Sequence, residues 1–600
     1  MNKVLTRDQV NQAETWDLSR LFATEADYEA AVTQAEKLTQ ALVANYKGKL
    51  TDAKTINNAI ADYSEIHTLL THAGTFASLH MAADQTNQDS AQRYGKFEIA
   101  AVEIDKQLVF FSSELNQVDL AVLKAAQADK PQNTPYLQEI IDWRPHALTP
   151  EVEAALAEFG QVHEAPYENY AKFKFADLRF DSFEANGETH EQSFTLFENG
   201  WSGNPDTAIR RAAFENFYAK LGEYENGFAS NYQTKVLTEK AKANLHNFDT
   251  AIEYLLDNQK VSVDLYDRQI DLIMEHLAVP MRKYATLLKE IHGLDKLTYA
   301  DLHLDVDPEF EPSISVEESR KYAIDGLAIL GDGYREMIEK SYDERWIDFP
   351  QSVGRSTGGF CSSPYGKGSF ILLNWNNAMN EVFVLAHEIG HAGHFYYAGQ
   401  SQQILDTRPS LYFIEAPSTM NEVIMADYLK GQSNDPRFKR WVLSSMVSRT
   451  YYHNCVTHLL EAHYQREVYR CVENKQPITA QVLNNLYLDT LKKFWGDTVE
   501  IPDYAGRTWM RQPHYFMGLY PYTYSAGLTI STAAFNKIKD GSLPVEKWLD
   551  VLRAGGTKSP LELAKMADVD LSTEAPLMSM INYVGEMVDE IVSLTAELGK

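Results

Sequence analysis

The stretch from Pro205 to Leu245 constrains this chain more than any other. Apolar residues recur there at three- and four-residue spacing with few Gly or Pro, which predicts one long amphipathic helix. Asn204-Pro205-Asp206 predicts its start, with proline tolerated in the first turn. Segments 27–46, 53–70 and 263–290 carry the same period, and no fixed-length repeat points to a solenoid. Two stretches break the pattern. Prolines at 131, 135, 145 and 150 predict a boundary or a long crossing loop, after which Asn186-Gly187 splits residues 178–195 as the centre of a tight hairpin. Residues 346–375 are rich in Gly, Ser and Pro, and Phe370 to Leu373 is a short apolar run, more strand than helix. The expected protein is mainly α, with a small sheet beside the segment that follows. Residues 1–197 form an N-terminal helical region with a hairpin near its end, and residues 198–600 carry the chemistry.

Composition narrows the function. Apolar residues make up 44% and charged residues 23% of the 600, which excludes wholesale disorder. The 55 basic residues against 84 acidic ones give a net charge of −29, which argues against nucleic acid or an anionic membrane as partner. Three scattered cysteines, Cys361, Cys455 and Cys471, fit a reducing compartment without a disulfide framework. The first twenty residues hold no apolar leader segment, and no run approaches the ~18 apolar residues that span a bilayer. The expectation is a cytoplasmic protein.

The chemistry concentrates in Glu381 to His394, which contains H-E-x-x-H at His387, Glu388 and His391. On a helix, residues four apart share one face, about 6 Å apart in rise, so both imidazoles can hold one zinc ion. Glu388 then lies beside the metal, where a carboxylate can take a proton from water. Apolar neighbours Phe383, Leu385, Ala386 and Ile389 predict a buried helix, where unpaired polar groups are costly. His394 follows His387 by seven residues, about 10 Å of helix, too far to share an ion with bonds of ~2.0–2.1 Å. It reads as a neighbour of the site or a plain helix histidine.

A catalytic zinc needs a third protein ligand and an open position. H-E-x-x-H-x-x-G-x-x-H is absent, since His394 and Tyr397 occupy the decisive places. The next acidic helix, from about Tyr412, offers Glu415 and Glu422, seven apart on one face. Spacing alone leaves both open, one as ligand and the other as acceptor of a histidine N–H. Further on, Trp509 to Tyr515 and Tyr520-Pro521-Tyr522-Thr523-Tyr524 gather aromatics and His514. Tyrosines at every second position suggest a strand or tight turn. They serve either packing or the stabilisation of an oxyanion.

Together these residues resemble the M3 family of zinc metallopeptidases, in its oligoendopeptidase F branch. The resemblance runs from Thr15-Trp16-Asp17-Leu18 to the tyrosine block. Its strongest stretches are R-S-T-G-G-F-C-S at 355–362, I-L-L-N-W, L-A-H-E-I-G-H, F-I-E-A-P-S-T-M-N-E and W-M-R-Q-P-H-Y, in the family's order. It implies two helical lobes flanking a deep substrate channel, with a small sheet beside the motif helix. It implies one zinc ion held by His387, His391 and Glu415, with Glu422 behind them and Glu388 as general base. The family's transition-state donors fall on His514 and Tyr522. The family shows F-Y-V-Y-Q-Y where this chain has Y-P-Y-T-Y, so Tyr520 and Tyr524 stand beside that role. Gly358, Gly359, Tyr515, Tyr520 and Tyr524 are the expected substrate contacts. The implied activity is hydrolysis of internal bonds in short peptides. An intact Glu388 argues against a silent peptide-binding protein, which has no use for a general base.

Overall fold

The computed structural model describes residues 5–599 and is mainly helical, with two small sheets. The long helix spans Thr207–Leu245, 39 residues, and begins two residues after Pro205. Asp206 is its cap, accepting from the N–H groups of Ala208 and Ile209, and Pro205 precedes the cap. The 263–290 pattern is two helices, Val263–Leu272 and Ala278–Ile291, joined by a wide turn at Ile273–Leu277. Among the described residues no helix is long and apolar enough to cross a membrane.

The proline-rich stretch is not a crossing loop. Pro131, Pro135, Pro145 and Pro150 each sit in the first turn of a short helix, including Thr134–Trp143 and Pro150–Glu158. A first-turn residue has no helical partner for its N–H, so proline loses nothing there. The hairpin forms as expected: Phe183–Ala185 pairs antiparallel with Glu188–His190. Asn186 and Gly187 both take left-handed backbone, φ 52° and 78°, as the two-residue turn demands.

Three N-terminal helices, Glu25–Tyr46, Ala53–Ala83 and Gln88–Leu115, pack around their own core, which includes Leu42, Ile60, Leu108 and Phe111. A far larger core runs from Tyr170 to Ile591. The three-stranded sheet lies between N-terminal helices and that core. Its centre strand, Phe370–Trp375, pairs parallel with Ile347–Pro350 and antiparallel with Phe360–Ser362. Successive side chains of a strand point to opposite faces. Phe370 and Leu372 therefore pack on Trp16, Tyr28, Phe76 and Phe97, while Ile371 and Leu373 join the large core. Burial on both faces explains an unbroken apolar run.

The H-E-x-x-H segment lies on the helix Glu381–Ser401, which crosses the helix Ala416–Gly431 at backbone contact. A Cβ at Gly390 would stand 2.5 Å from the Pro417 carbonyl oxygen and from Ser418 Cα. On the other side, a Cβ at Gly527 would stand 2.7 Å from Glu415 Cβ. Because backbone cannot yield as a flexible side chain does, Gly390→Ala is expected to cost about 1–3 kcal/mol. Gly227→Ala, on the long helix with nothing within 4 Å of its Cβ position, is expected to gain roughly 0.5–1 kcal/mol. Thermal unfolding of the two variants checks the opposite signs.

Candidate active site

The motif helix places His387 and His391 one turn apart on the wall of a cleft of about 890 Å³. Their Nε2 atoms lie 3.4 and 3.3 Å from the same oxygen, Glu415 Oε2. Glu415 stands at the joint between Leu411–Ile414 and Ala416–Gly431, and its carboxylate caps no backbone N–H there. Ser418 Oγ instead donates to Oε2 at 2.8 Å. Burial opposes its charge, yet His391, His387 and Ser418 bring its pKa down to about 2.

These three residues fit a metal ion. Donor atoms of a tetrahedral zinc site with bonds of ~2.0–2.1 Å stand roughly 3.3–3.4 Å apart. That is the spacing of the two imidazoles from the carboxylate oxygen. Behind them, His387 Nδ1 donates to Glu422 Oε1 at 2.7 Å, and Thr450 Oγ1 donates to Glu422 Oε2 at 2.5 Å. Such a carboxylate fixes which imidazole nitrogen is free to face a metal.

Glu388 is only 5% exposed. Its Oε2 has no hydrogen-bond partner among the described residues, unlike the carboxylates of Glu415 and Glu422. Burial raises its pKa against the pull of His387 and His391. A Cβ at Gly359 would come within 3.3 Å of Glu388 Oε1, so the glycine leaves that carboxylate room. His394 is fully buried, with both ring nitrogens unpartnered, and stacks on Phe395. Burial pushes its pKa down to about 3, so it is a neutral packing histidine outside the His387–His391–Glu415 group.

The tyrosine block is helical rather than a strand or tight turn: Tyr520 stands at the cap of the helix Pro521–Lys539, with Pro521 in its first turn. Helical residues four apart share a face, whereas residues two apart point nearly opposite ways. Tyr520 and Tyr524 accordingly line the cleft. Tyr522, expected as an oxyanion donor, does not reach it. It is 0% exposed, donates its hydroxyl to Gln259 Oε1 at 2.5 Å and packs edge-on against Tyr266. Tyr515, expected as a substrate contact, is 1% exposed and packs between Tyr232 and Tyr464. His514 is partly exposed, with Nε2 3.4 Å from the Tyr524 hydroxyl. Gly359 lines the cleft, followed by Phe360 and Cys361 of the sheet's edge strand, and Gly358 precedes them in the chain.

Sequence reasoning missed His303, Arg408, Arg449 and His453, which also line the cleft. Arg449 and His453 share the wide-turn helix Met446–Thr457, while His303 and Arg408 come from separate segments, with no motif in common. One signal existed: His453 and His458 are five apart, a spacing that an α-helix would send to different faces. The wide-turn helix Met446–Thr457 brings their Nε2 atoms to 3.1 Å.

Comparisons with known proteins agree with this geometry. The family model "Peptidase family M3" matches residues 202–583, and "Oligopeptidase F" matches residues 114–180. Oligopeptidase PepF of Bacillus subtilis (strain 168) is 27% identical, covering 99% of this chain and 89% of that protein. Group B oligopeptidase PepB of Streptococcus agalactiae is 24% identical, covering 98% of each chain. The crystal structure of oligoendopeptidase-F from Enterococcus faecium shares the fold, with a TM-score of 0.73 at 23% identity over 95% of this chain and 98% of that one. Because the M3 model spans more than half of the sequence, on both sides of the paired histidines, the chain belongs to peptidase family M3 and is a metalloendopeptidase.

Proposed function

We propose that this protein is a zinc-dependent endopeptidase that hydrolyses internal bonds of short peptides, with one zinc ion held by His387, His391 and Glu415. The observation that carries the reading is the 3.3–3.4 Å spacing of two imidazole nitrogens from one carboxylate oxygen, with the free Glu388 oxygen beside them. The names of the similar oligopeptidases support short peptides as substrates.

When bound, zinc supplies polarisation of the scissile carbonyl and acidifies a water molecule. Glu388 Oε2 accepts a proton from the attacking water and delivers it to the leaving amine nitrogen. Its raised pKa suits a carboxylate that must both take and surrender a proton. Glu422 holds the His387 proton on Nδ1 and so keeps Nε2 free for the metal. Tyr520 and Tyr524, with His514 beside them, donate to the oxyanion as its charge develops. The edge strand Phe360–Ser362 offers unpaired backbone on the cleft wall, where a substrate can add as a further strand.

Three measurements test this reading. Glu388→Gln keeps the shape but accepts no proton, so kcat is expected to fall ~10²–10⁴-fold with zinc content unchanged. Retained activity in zinc-loaded protein sinks the mechanism. Metal analysis separates the other two carboxylates: Glu415→Ala loses stoichiometric zinc, while Glu422→Ala weakens affinity roughly 10–100-fold. The reverse order would exchange their roles. Steady-state kinetics distinguish the tyrosines. Tyr524→Phe and Tyr520→Phe are expected to lower kcat by ~10²–10³-fold with KM little changed. Tyr522→Phe leaves kcat near normal and costs about 1–3 kcal/mol of stability, because it orphans Gln259. A large kcat loss confined to Tyr522→Phe would contradict the assignment.

A further inference from the structure

A second cluster of imidazoles surrounds one carboxylate behind the cleft wall. Glu461, on the helix His458–Glu473, is 0% exposed. Its Oε2 accepts from His458 Nδ1 at 2.7 Å and faces His514 Nδ1 at 3.7 Å. Both rings reach on to Tyr524, which lines the cleft. His458 stacks on the tyrosine ring at 4.1 Å and 16°, and His514 Nε2 lies 3.4 Å from its hydroxyl.

The same three residues bring their ligand atoms close enough together to suggest a second metal ion. The spacings argue otherwise. A separation of 2.7 Å is a hydrogen bond, and 3.7 Å is longer than the edge of a tetrahedral zinc site, roughly 3.3–3.4 Å. Burial opposes a charge on Glu461, but His458 and His514 bring its pKa down to about 2, so it stays ionised. Burial pushes the His458 pKa down. An ionised carboxylate only accepts, so the His458 Nδ1 that meets it at 2.7 Å carries a hydrogen.

We propose that Glu461 is a positioning residue for peptide hydrolysis: by holding the Nδ1 proton of His458, it fixes the ring that stacks on Tyr524, while its charge faces His514. The Tyr524 hydroxyl then faces His514 Nε2 across a long, weak contact. Its hydrogen is free to pass to the stronger acceptor as the oxyanion forms. This inference rests on the zinc-peptidase reading above and on Tyr524 as a donor within it.

Kinetics of zinc-loaded Glu461→Gln, Tyr524→Phe and the double variant test it. Glu461→Gln is expected to lower kcat about 10–100-fold with KM and zinc content unchanged, the scale of a small misplacement of a catalytic group. The double variant should be no slower than Tyr524→Phe alone, because the carboxylate acts through that hydroxyl. Multiplying losses would overturn the proposal, as would normal kcat in Glu461→Gln beside an impaired Tyr524→Phe. Normal kcat in Tyr524→Phe would instead remove the donor role itself. Two zinc ions per wild-type chain, one of them lost in Glu461→Gln, would make the cluster a metal site and overturn the proposal. Should Glu461→Gln fail to fold, histidine nitrogen NMR of the wild-type protein decides. A proton on His458 Nδ1 supports the inference, and a ring protonated only on Nε2 overturns it.

Discussion

The site depends on how closely two helices approach. The motif helix and the helix after Glu415 meet at Gly390, where a single methyl group would strike the Pro417 carbonyl oxygen and Ser418 Cα. Gly527 presses on Glu415 from the opposite side at a similar distance. The carboxylate is thus placed by backbone held between two backbones rather than by a flexible side chain finding its own rotamer. Close packing of this kind transmits small displacements instead of absorbing them. It sets the separation between the Glu415 oxygen and the two imidazole nitrogens.

Electrostatics then sort the carboxylates by partner. Glu415 lies against two imidazoles and a serine hydroxyl, and Glu422 against an imidazole and a threonine hydroxyl. Glu461 repeats the device with two further histidines. Glu388, equally enclosed, keeps one oxygen without a partner, and burial raises its pKa. The same residue type is therefore held as an anion or pushed toward protonation according to whether donors surround it.

Much of this was legible in the sequence, for reasons that differ by residue. The long helix and the Phe370–Leu373 strand announce themselves because apolar period and burial coincide. His387, His391 and Glu415 fall within one short stretch, so local spacing and family resemblance suffice to nominate them. The prolines at 131–150 misled because a proline looks the same in a loop and in a helical first turn. The tyrosine block misled in the same way. Alternation suggests a strand, but the residues lie on a helix, and the rotation between neighbours sends Tyr522 inward while Tyr520 and Tyr524 face the cleft. His303, Arg408 and Arg449 were not legible, since only tertiary folding brings them to one cleft.

The sheet with a core on each face bears on whether the chain can be divided. The His387–His391–Glu415 group, and the carboxylates and tyrosines around it, all lie beyond residue 380. A fragment cut just before the sheet would keep that part and the centre strand, but Phe370 and Leu372 would lose Trp16, Tyr28, Phe76 and Phe97 as cover. Their apolar surface would then face water at a cost of roughly 25 cal/mol per Å². The edge strand beside Glu388 hydrogen-bonds to that same centre strand. The N-terminal helices therefore back the sheet whose edge strand lines the cleft, and the site is not separable from them.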